Sequence, residues 1–142
     1  MSKMNDLGEE LYSLLARLLN SKMNRTVLDS IRGEYGVLRY LLYEEDGVNA
    51  GTLTEKMHVV PGRMTDILNS LEYKELIIRK KSETDKRVVK VYITAQGKAE
   101  AEKKRNQIHQ NYEELMKRLG EKDTEEFIRL LNIVLEYSNS MK

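Results

Sequence analysis

Between Pro61 and Ile93 the spacing of apolar residues changes from a helical to a strand period, and few folds accommodate that switch in so short a stretch. Met64, Ile67, Leu68 and Leu71 fall at i, i+3, i+4 and i+7, one buried stripe of a helix. Pro61, the only proline, opens that helix, because its fixed φ and missing N–H suit the first helical position. At about 100° per residue, Gly62, Thr65, Asp66, Asn69 and Tyr73 fall on the opposite face. Just upstream, Thr52 to Met57 sets Leu53 and Met57 one turn apart, and His58-Val59-Val60 makes a tight connection between the two helices. That pairing is a helix-turn-helix. Just downstream, Ile77-Ile78-Arg79-Lys80 runs into the polar stretch Lys81 to Lys86, after which Val89, Val91 and Ile93 alternate with Lys90 and Tyr92. These are two antiparallel strands joined by a charged loop, a β-hairpin wing. The loop has no Asn-Gly pair, so it is expected to be long and mobile.

The flanks are helical. Leu7, Leu11, Leu14, Leu15, Leu18, Leu19 and Met23 recur at three- and four-residue steps, an amphipathic helix with a wide apolar face. A second helix, from about Glu34 to Glu44, turns Val37, Leu38, Leu41 and Leu42 inward, and Asp46-Gly47 ends it in a turn. After the wing, Thr94 caps a long helix with Ile108, Tyr112, Leu115, Met116 and Leu119 on its apolar stripe. Gly120 ends that helix, and a last one carries Phe127, Leu130, Leu131, Val134 and Met141. The fold class is therefore mainly α with a small β-hairpin wing. Residues 1–32 form an N-terminal dimerisation helix, 33–94 a winged helix-turn-helix region, and 95–142 the C-terminal dimerisation helices. The winged unit does not need the outer helices for its own core; an intrachain bundle is one way to cover their faces, and a two-fold dimer, the commonest oligomer, is the expected one.

Composition narrows the function. The 142 residues contain no cysteine, which removes disulfides, thiolate metal sites and thiol-based sensing and fits a reducing compartment. Met1 to Glu10 has no apolar h-region and the run at Leu14-Leu15 is broken by Arg17, so neither a signal peptide nor a membrane span is expected. A cytoplasmic protein without membrane partners follows. Net charge is only +1, but it is unevenly spread. From Lys74 to Lys90 seven bases face three acids, whereas from Gly120 to Lys142 three bases face five acids. His58 and His109 are the only histidines and have no ligands converging on them, so no metal or other cofactor is called for. No Ser-His-Asp pattern, phosphate-cradling glycine loop or paired carboxylates appear, which argues against an enzyme. A winged helix used only for protein interaction is the competing reading; it would present an apolar exposed face, where this chain has Arg63, Asp66 and Asn69.

Residues Glu34 to Glu102 resemble the MarR (multiple antibiotic resistance regulator) family of transcription factors. The likeness rests on Leu53-Thr54-Glu55-Lys56-Met57, on Val59 to Thr65, on Leu71-Glu72, on the wing stretch Asp85 to Val91, and on Thr94-Ala95-Gln96-Gly97. The Asp-x-Arg of the wing, followed by Thr-x-x-Gly, is its most specific part. It implies a triangular helical homodimer with two winged lobes whose recognition helices enter successive major grooves of duplex DNA. It also implies a cleft where a small-molecule effector changes the spacing of those helices; Tyr35, Tyr40 and Tyr43 lie near it. There are two departures. Val60 stands where a capping hydroxyl residue is usual, at a cost of roughly 1 kcal/mol in local helix stability. Glu75 stands where a glycine is usual, so positive φ falls on a residue with a side chain.

The candidate DNA contacts divide by chemistry. Arg63, Thr65, Asp66 and Asn69 form the major-groove surface: arginine donates two bonds to guanine, asparagine pairs bidentately with adenine, and Asp66 accepts from cytosine or orients Arg63. Gly62 lets the DNA backbone approach the helix N-terminus, which favours phosphate. By the resemblance, Arg87 reaches the minor groove while Asp85 holds its guanidinium; arginine is favoured where a narrow minor groove concentrates negative potential. Lys80, Lys81, Lys86 and Lys90 contribute phosphate contacts, which position the protein without reading sequence.

Overall fold

The computed structural model describes residues 2–141. In chain order the elements are α1 (Lys3–Leu19), α2 (Lys22–Arg32), α3 (Glu34–Tyr43), β1 (Val48–Asn49), α4 (Ala50–Met57), α5 (Pro61–Tyr73), β2 (Ile77–Lys81), β3 (Val89–Ile93) and α6 (Ala95–Ser140). The chain divides into two compact units, Met1–Glu102 and Lys103–Lys142, with the boundary inside α6.

The core of the first unit is the winged helix. Val37, Leu38 and Leu41 of α3, Leu53 and Met57 of α4, and Met64, Ile67, Leu68 and Leu71 of α5 are all buried together. The stripe in α5 thus faces inward as its spacing requires. The antiparallel sheet, in order β1-β3-β2, closes this core from the side. Ile77 pairs with Ile93 and Arg79 with Val91, so the inward side of the hairpin is apolar at its base and basic at Arg79. On its other side Ile78 pairs with Tyr92 and Lys80 with Lys90, and the Lys80 ammonium lies 6.0 Å from the Tyr92 ring centre. Gly97 and Ala101 are buried in the first turns of α6, which bring that helix onto the core.

Local chemistry sets the boundaries. Asn49 caps α4 by accepting from the Thr52 N–H at 2.8 Å, and His58, at φ 54° and ψ 45°, ends it in a left-handed residue. Thr94 Oγ1 accepts from the Gly97 N–H at 3.0 Å, the cap its position predicts. Val60 gives α5 no side-chain cap, also as predicted. At the far end of α5 the Leu76 N–H donates to the Leu71 carbonyl and the Glu75 N–H to the Glu72 carbonyl. This is the paired-bond helix stop that needs a left-handed residue, and Glu75 supplies it at φ 64°. Thr94 Oγ1 donates to the Glu75 carbonyl at 2.7 Å and helps hold that conformation in place.

One expectation is corrected. The N-terminal amphipathic run is two helices, not one: Asn20 and Ser21 interrupt it, and Ser21 Oγ accepts from the Asn24 N–H to cap α2. The wing loop, residues 82–88, is long, as its lack of an Asn-Gly pair implies, and it is internally bonded. Ser82 N–H donates to the Val88 carbonyl, Val88 N–H to the Asp85 carbonyl, and Ser82 Oγ is buried against Thr84 Oγ1 at 3.0 Å. Short hydroxyl and carboxylate side chains supply local bonds that a two-residue glycine turn would have made redundant.

Within the second unit α6 is broken once. Gly120 has φ 82° and ψ 164°, far from helical values, so two helical segments meet there. The break falls on the residue at which the sequence ends the long helix.

Candidate nucleic-acid interface

With Met64, Ile67, Leu68 and Leu71 anchored in the core, α5 turns Gly62, Arg63, Thr65, Asp66 and Asn69 to solvent. The sequence-predicted surface is therefore brought together on one face. Thr65 Oγ1 donates back to the Pro61 carbonyl at 3.0 Å, which leaves its methyl group and an oxygen lone pair outward. Among the described residues no ion pair joins Asp66 to Arg63, so Asp66 does not orient that arginine in this structure. Nothing lies within 4 Å of where a Cβ on Gly62 would be, so the N-terminal approach to α5 is open. Because Val60 provides no cap and the first turn has no acid, the first amides of α5 face that opening with their donors unspent.

Asn69 differs from its neighbours. Its Oδ1 accepts from Arg79 Nη2 at 2.7 Å, across the turn from the wing strand. The same guanidinium grips Glu72, Nη2 to Oε1 at 3.0 Å and Nε to Oε2 at 3.2 Å. The Arg79 hydrogen bond holds the Glu72 carboxyl below the usual carboxylate range, against a smaller opposing effect of burial. On the other flank Lys74 Nζ donates to both Glu34 oxygens at 3.0 Å, and Ser70 Oγ donates to Glu34 Oε1 at 2.8 Å. The C-terminal half of α5 is thus tied to β2 on one side and to α3 on the other. Sequence reasoning missed this frame, since each bond joins residues separated by a turn or by a whole helix-turn-helix. The one local signal is the Asn69-x-x-Glu72 spacing, which puts both side chains on one flank.

In the wing, Asp85 grips Arg87 through three bonds: Arg87 N and Nε each donate to Oδ1 at 3.1 Å, and Nη2 donates to Oδ2 at 3.2 Å. The Arg87 side chain nevertheless remains 92% exposed. It is charged and held by the Asp85 carboxylate, while most of its surface faces solvent. That bond, reinforced by the Arg87 backbone N–H, holds the Asp85 carboxyl below its usual range. Lys80, Lys81 and Lys86 are exposed around it and Lys90 is half-buried. The basic residues of 74–90 thus split into two groups: Lys74 and Arg79 brace α5, and the others remain outward.

The tyrosines on α3 separate. Tyr35 is buried, Tyr40 packs half-buried against the core, and Tyr43 is exposed with its hydroxyl donating to Glu102 Oε1 at 2.5 Å. A depression of about 400 Å³ on the first unit is lined by Glu72, Ile77, Ile78, Thr94 and Gln96, among others, and by none of these tyrosines. Among the described residues no group of His, Cys, Asp and Glu is placed to hold a metal ion, and no helix is long and apolar enough to cross a membrane.

Comparison with known proteins places this geometry. Residues 33–89 match the sequence profile of the MarR family. The chain is 32% identical over 99 residues to the HTH-type transcriptional regulator MhqR of Bacillus subtilis (strain 168), covering 66% of this chain and 68% of that protein. The fold is similar to that of YusO from Bacillus subtilis, with a TM-score of 0.70 at 22% identity over 99% of this chain and 100% of that one. It is also similar to a mutant of MepR from S. aureus bound to an oligodeoxyribonucleotide, with a TM-score of 0.61 at 21% identity over 89% and 96% of the two chains. The inward stripe of α5, the clamped wing arginine and these matches agree: the chain belongs to the MarR family of transcriptional regulators.

Proposed function

We propose that this chain is a cytoplasmic repressor that binds a pseudo-palindromic operator as a homodimer and is released by a small ligand. The observation that carries the reading is Arg87: its guanidinium, on a side chain 92% exposed, is held by a carboxylate two residues away. Orienting a solvent-facing arginine contributes little to stability, but it prepares the group for a narrow, negatively charged groove. Arg63, Thr65, Asp66 and Asn69 on α5 then enter the major groove, with a phosphate at the open N-terminus beside Gly62. Lys80, Lys81 and Lys86 contact the flanking backbone. The solved MepR mutant bound to an oligodeoxyribonucleotide supports the DNA partner by analogy of fold.

The dimer is supported by side chains the single chain leaves uncovered. α1 buries no residue, and Leu11, Leu14 and Leu15 are about half exposed or more. Past the Gly120 break Leu131, Val134 and Leu135 are likewise at least half exposed. A two-fold dimer covers such faces and matches two half-sites one helical turn apart. The effector is proposed to bind near Tyr35, Tyr40 and Tyr43, of which Tyr35 is buried, and to act by changing the half-site spacing.

Fluorescence anisotropy against the DNA upstream of the coding region, at two salt concentrations, tests the reading. The expected result is binding as a dimer that weakens with salt, and a loss of about tenfold or more for Arg87→Ala. Absence of binding to that DNA and to random duplex at low salt would transfer the case to a protein-interaction module. Unchanged affinity across a panel of phenolic and amphipathic compounds would remove ligand relief from the reading.

A further inference from the structure

We infer that Arg79 fixes Asn69 as a one-sided hydrogen-bond donor, so that α5 reads guanine, not adenine, at the base Asn69 meets. The inference rests on the DNA-binding reading above. A guanidinium carries only donors, so the atom of the Asn69 amide that meets Arg79 Nη2 at 2.7 Å must be its oxygen. Pairing with adenine needs both ends of an amide, the oxygen accepting from N6 and the nitrogen donating to N7. Here a charged donor takes one lone pair of the oxygen and turns it toward β2, so an adenine N6 amine would have to reach the second lone pair from beside the guanidinium, in competition with a bond stronger than its own. With the oxygen held by Arg79 on an exposed residue, the end of the amide left for a base is Nδ2 with its two N–H groups. Guanine places two acceptors, N7 and O6, side by side on its major-groove edge, and one amide nitrogen satisfies them both. Adenine would leave its N6 amine facing a donor.

The clamp is built, not incidental. Arg79 lies on the inward side of β2, two residues beyond Ile77, where the apolar core ends. Its side chain is 27% exposed, and Glu72 holds the fork on both oxygens while Nη2 reaches Asn69. Arg79 is therefore a positioning residue: it touches no base but determines which end of Asn69 does. A lysine keeps the charge but has no planar fork with which to span Glu72 and Asn69 together.

The experiment is selection from a randomised duplex library by the full chain, followed by sequencing, for the wild type, Asn69→Asp and Arg79→Lys. The wild type is expected to enrich guanine over adenine by about tenfold at one position per half-site. In Asn69→Asp one oxygen stays on Arg79 and the outward atom becomes an acceptor, so that position alone shifts to cytosine, whose N4 donates. In Arg79→Lys the guanine-to-adenine ratio falls toward parity or reverses there, with the remaining positions unchanged. Adenine at the residue-69-dependent position in the wild type would overturn the inference, as would a preference unmoved by either substitution. Both of those results leave DNA binding intact, whereas no enrichment of any sequence by the wild type would overturn this inference and the regulator reading together. If Arg79→Lys fails to fold by thermal melting, the wild-type ratio and Asn69→Asp decide alone, since aspartate retains the Arg79 bond.

Discussion

The winged helix and the outer helices carry the same kind of amphipathic pattern and meet opposite fates. In the winged helix Leu38, Leu53, Leu68 and Leu71 are essentially removed from water. In α1 and in the described part of α6 beyond Gly120, no residue is buried, and leucines at helical spacing keep about half of their surface or more. The difference teaches that a periodic stripe specifies a helix and an apolar face, but not which surface will cover it. Within one chain the covering surface is a neighbouring helix or sheet; a face left bare over several turns is a demand for another molecule. With the proposed dimer covering those faces, stability and assembly fall to separate parts of the chain.

Substitutions can break this contrast or sharpen it. The largest effect is expected from Leu38→Ala, which opens a cavity among α3, α4 and α5 and costs about 2–5 kcal/mol in chemical denaturation. Leu131→Glu, on the bare part of α6, changes the intrinsic stability of an isolated chain by no more than about 0.5 kcal/mol. It should nevertheless halve the mass in sedimentation and lower operator affinity by about a hundredfold through lost bivalency. A dimer that survives Leu131→Glu paired with Leu14→Glu would erase the contrast. A smaller change is expected from Glu75→Gly, which relieves left-handed strain inside the winged unit and gains about 0.5 kcal/mol after the added freedom of the unfolded chain is counted.

The smallest is the pH response of the wing. Arg87 depresses the Asp85 carboxyl in the folded state, so the pair is complete above the unfolded value and is lost only as pH falls through the depressed one. The Arg87 Nε–H resonance should therefore stay constant from neutral into mildly acid solution and move only below the pH at which a free aspartate titrates. Because the pair is open to solvent, the melting temperature should not follow it.

How much could be read in advance depended on the range of the cause. α3, α4, α5 and the hairpin were legible because their stripes and their breakers, Pro61, Asp46-Gly47 and the alternation at Val89 to Ile93, are local. The break between α1 and α2 was hidden because Leu18, Leu19 and Met23 continue the helical spacing across it, and only the cap at Ser21 betrays it. β1, two residues long, has no periodicity to detect; it exists because Val48 and Asn49 meet Val91 and Lys90. The outward face of α5 followed from its inward one. The engagement of Asn69 did not, because Arg79 reaches it from a strand whose register is set by the whole fold.

Gly120 shows that stereochemistry can reserve a position that space would leave free. No atom lies within 4 Å of where its Cβ would stand, so crowding forbids nothing there. Its φ of 82° and ψ of 164° belong instead to the mirror image of ordinary extended backbone. A right-handed amino acid is at home in that image, as its natural counterpart is in a strand. A chain assembled by chemical synthesis with D-alanine at this position would retain the break, whereas L-alanine would force the two segments toward a single rod. Position 120 is thus a handedness filter: it accepts a side chain of one chirality, and biosynthesis, which offers only the other, is left with glycine.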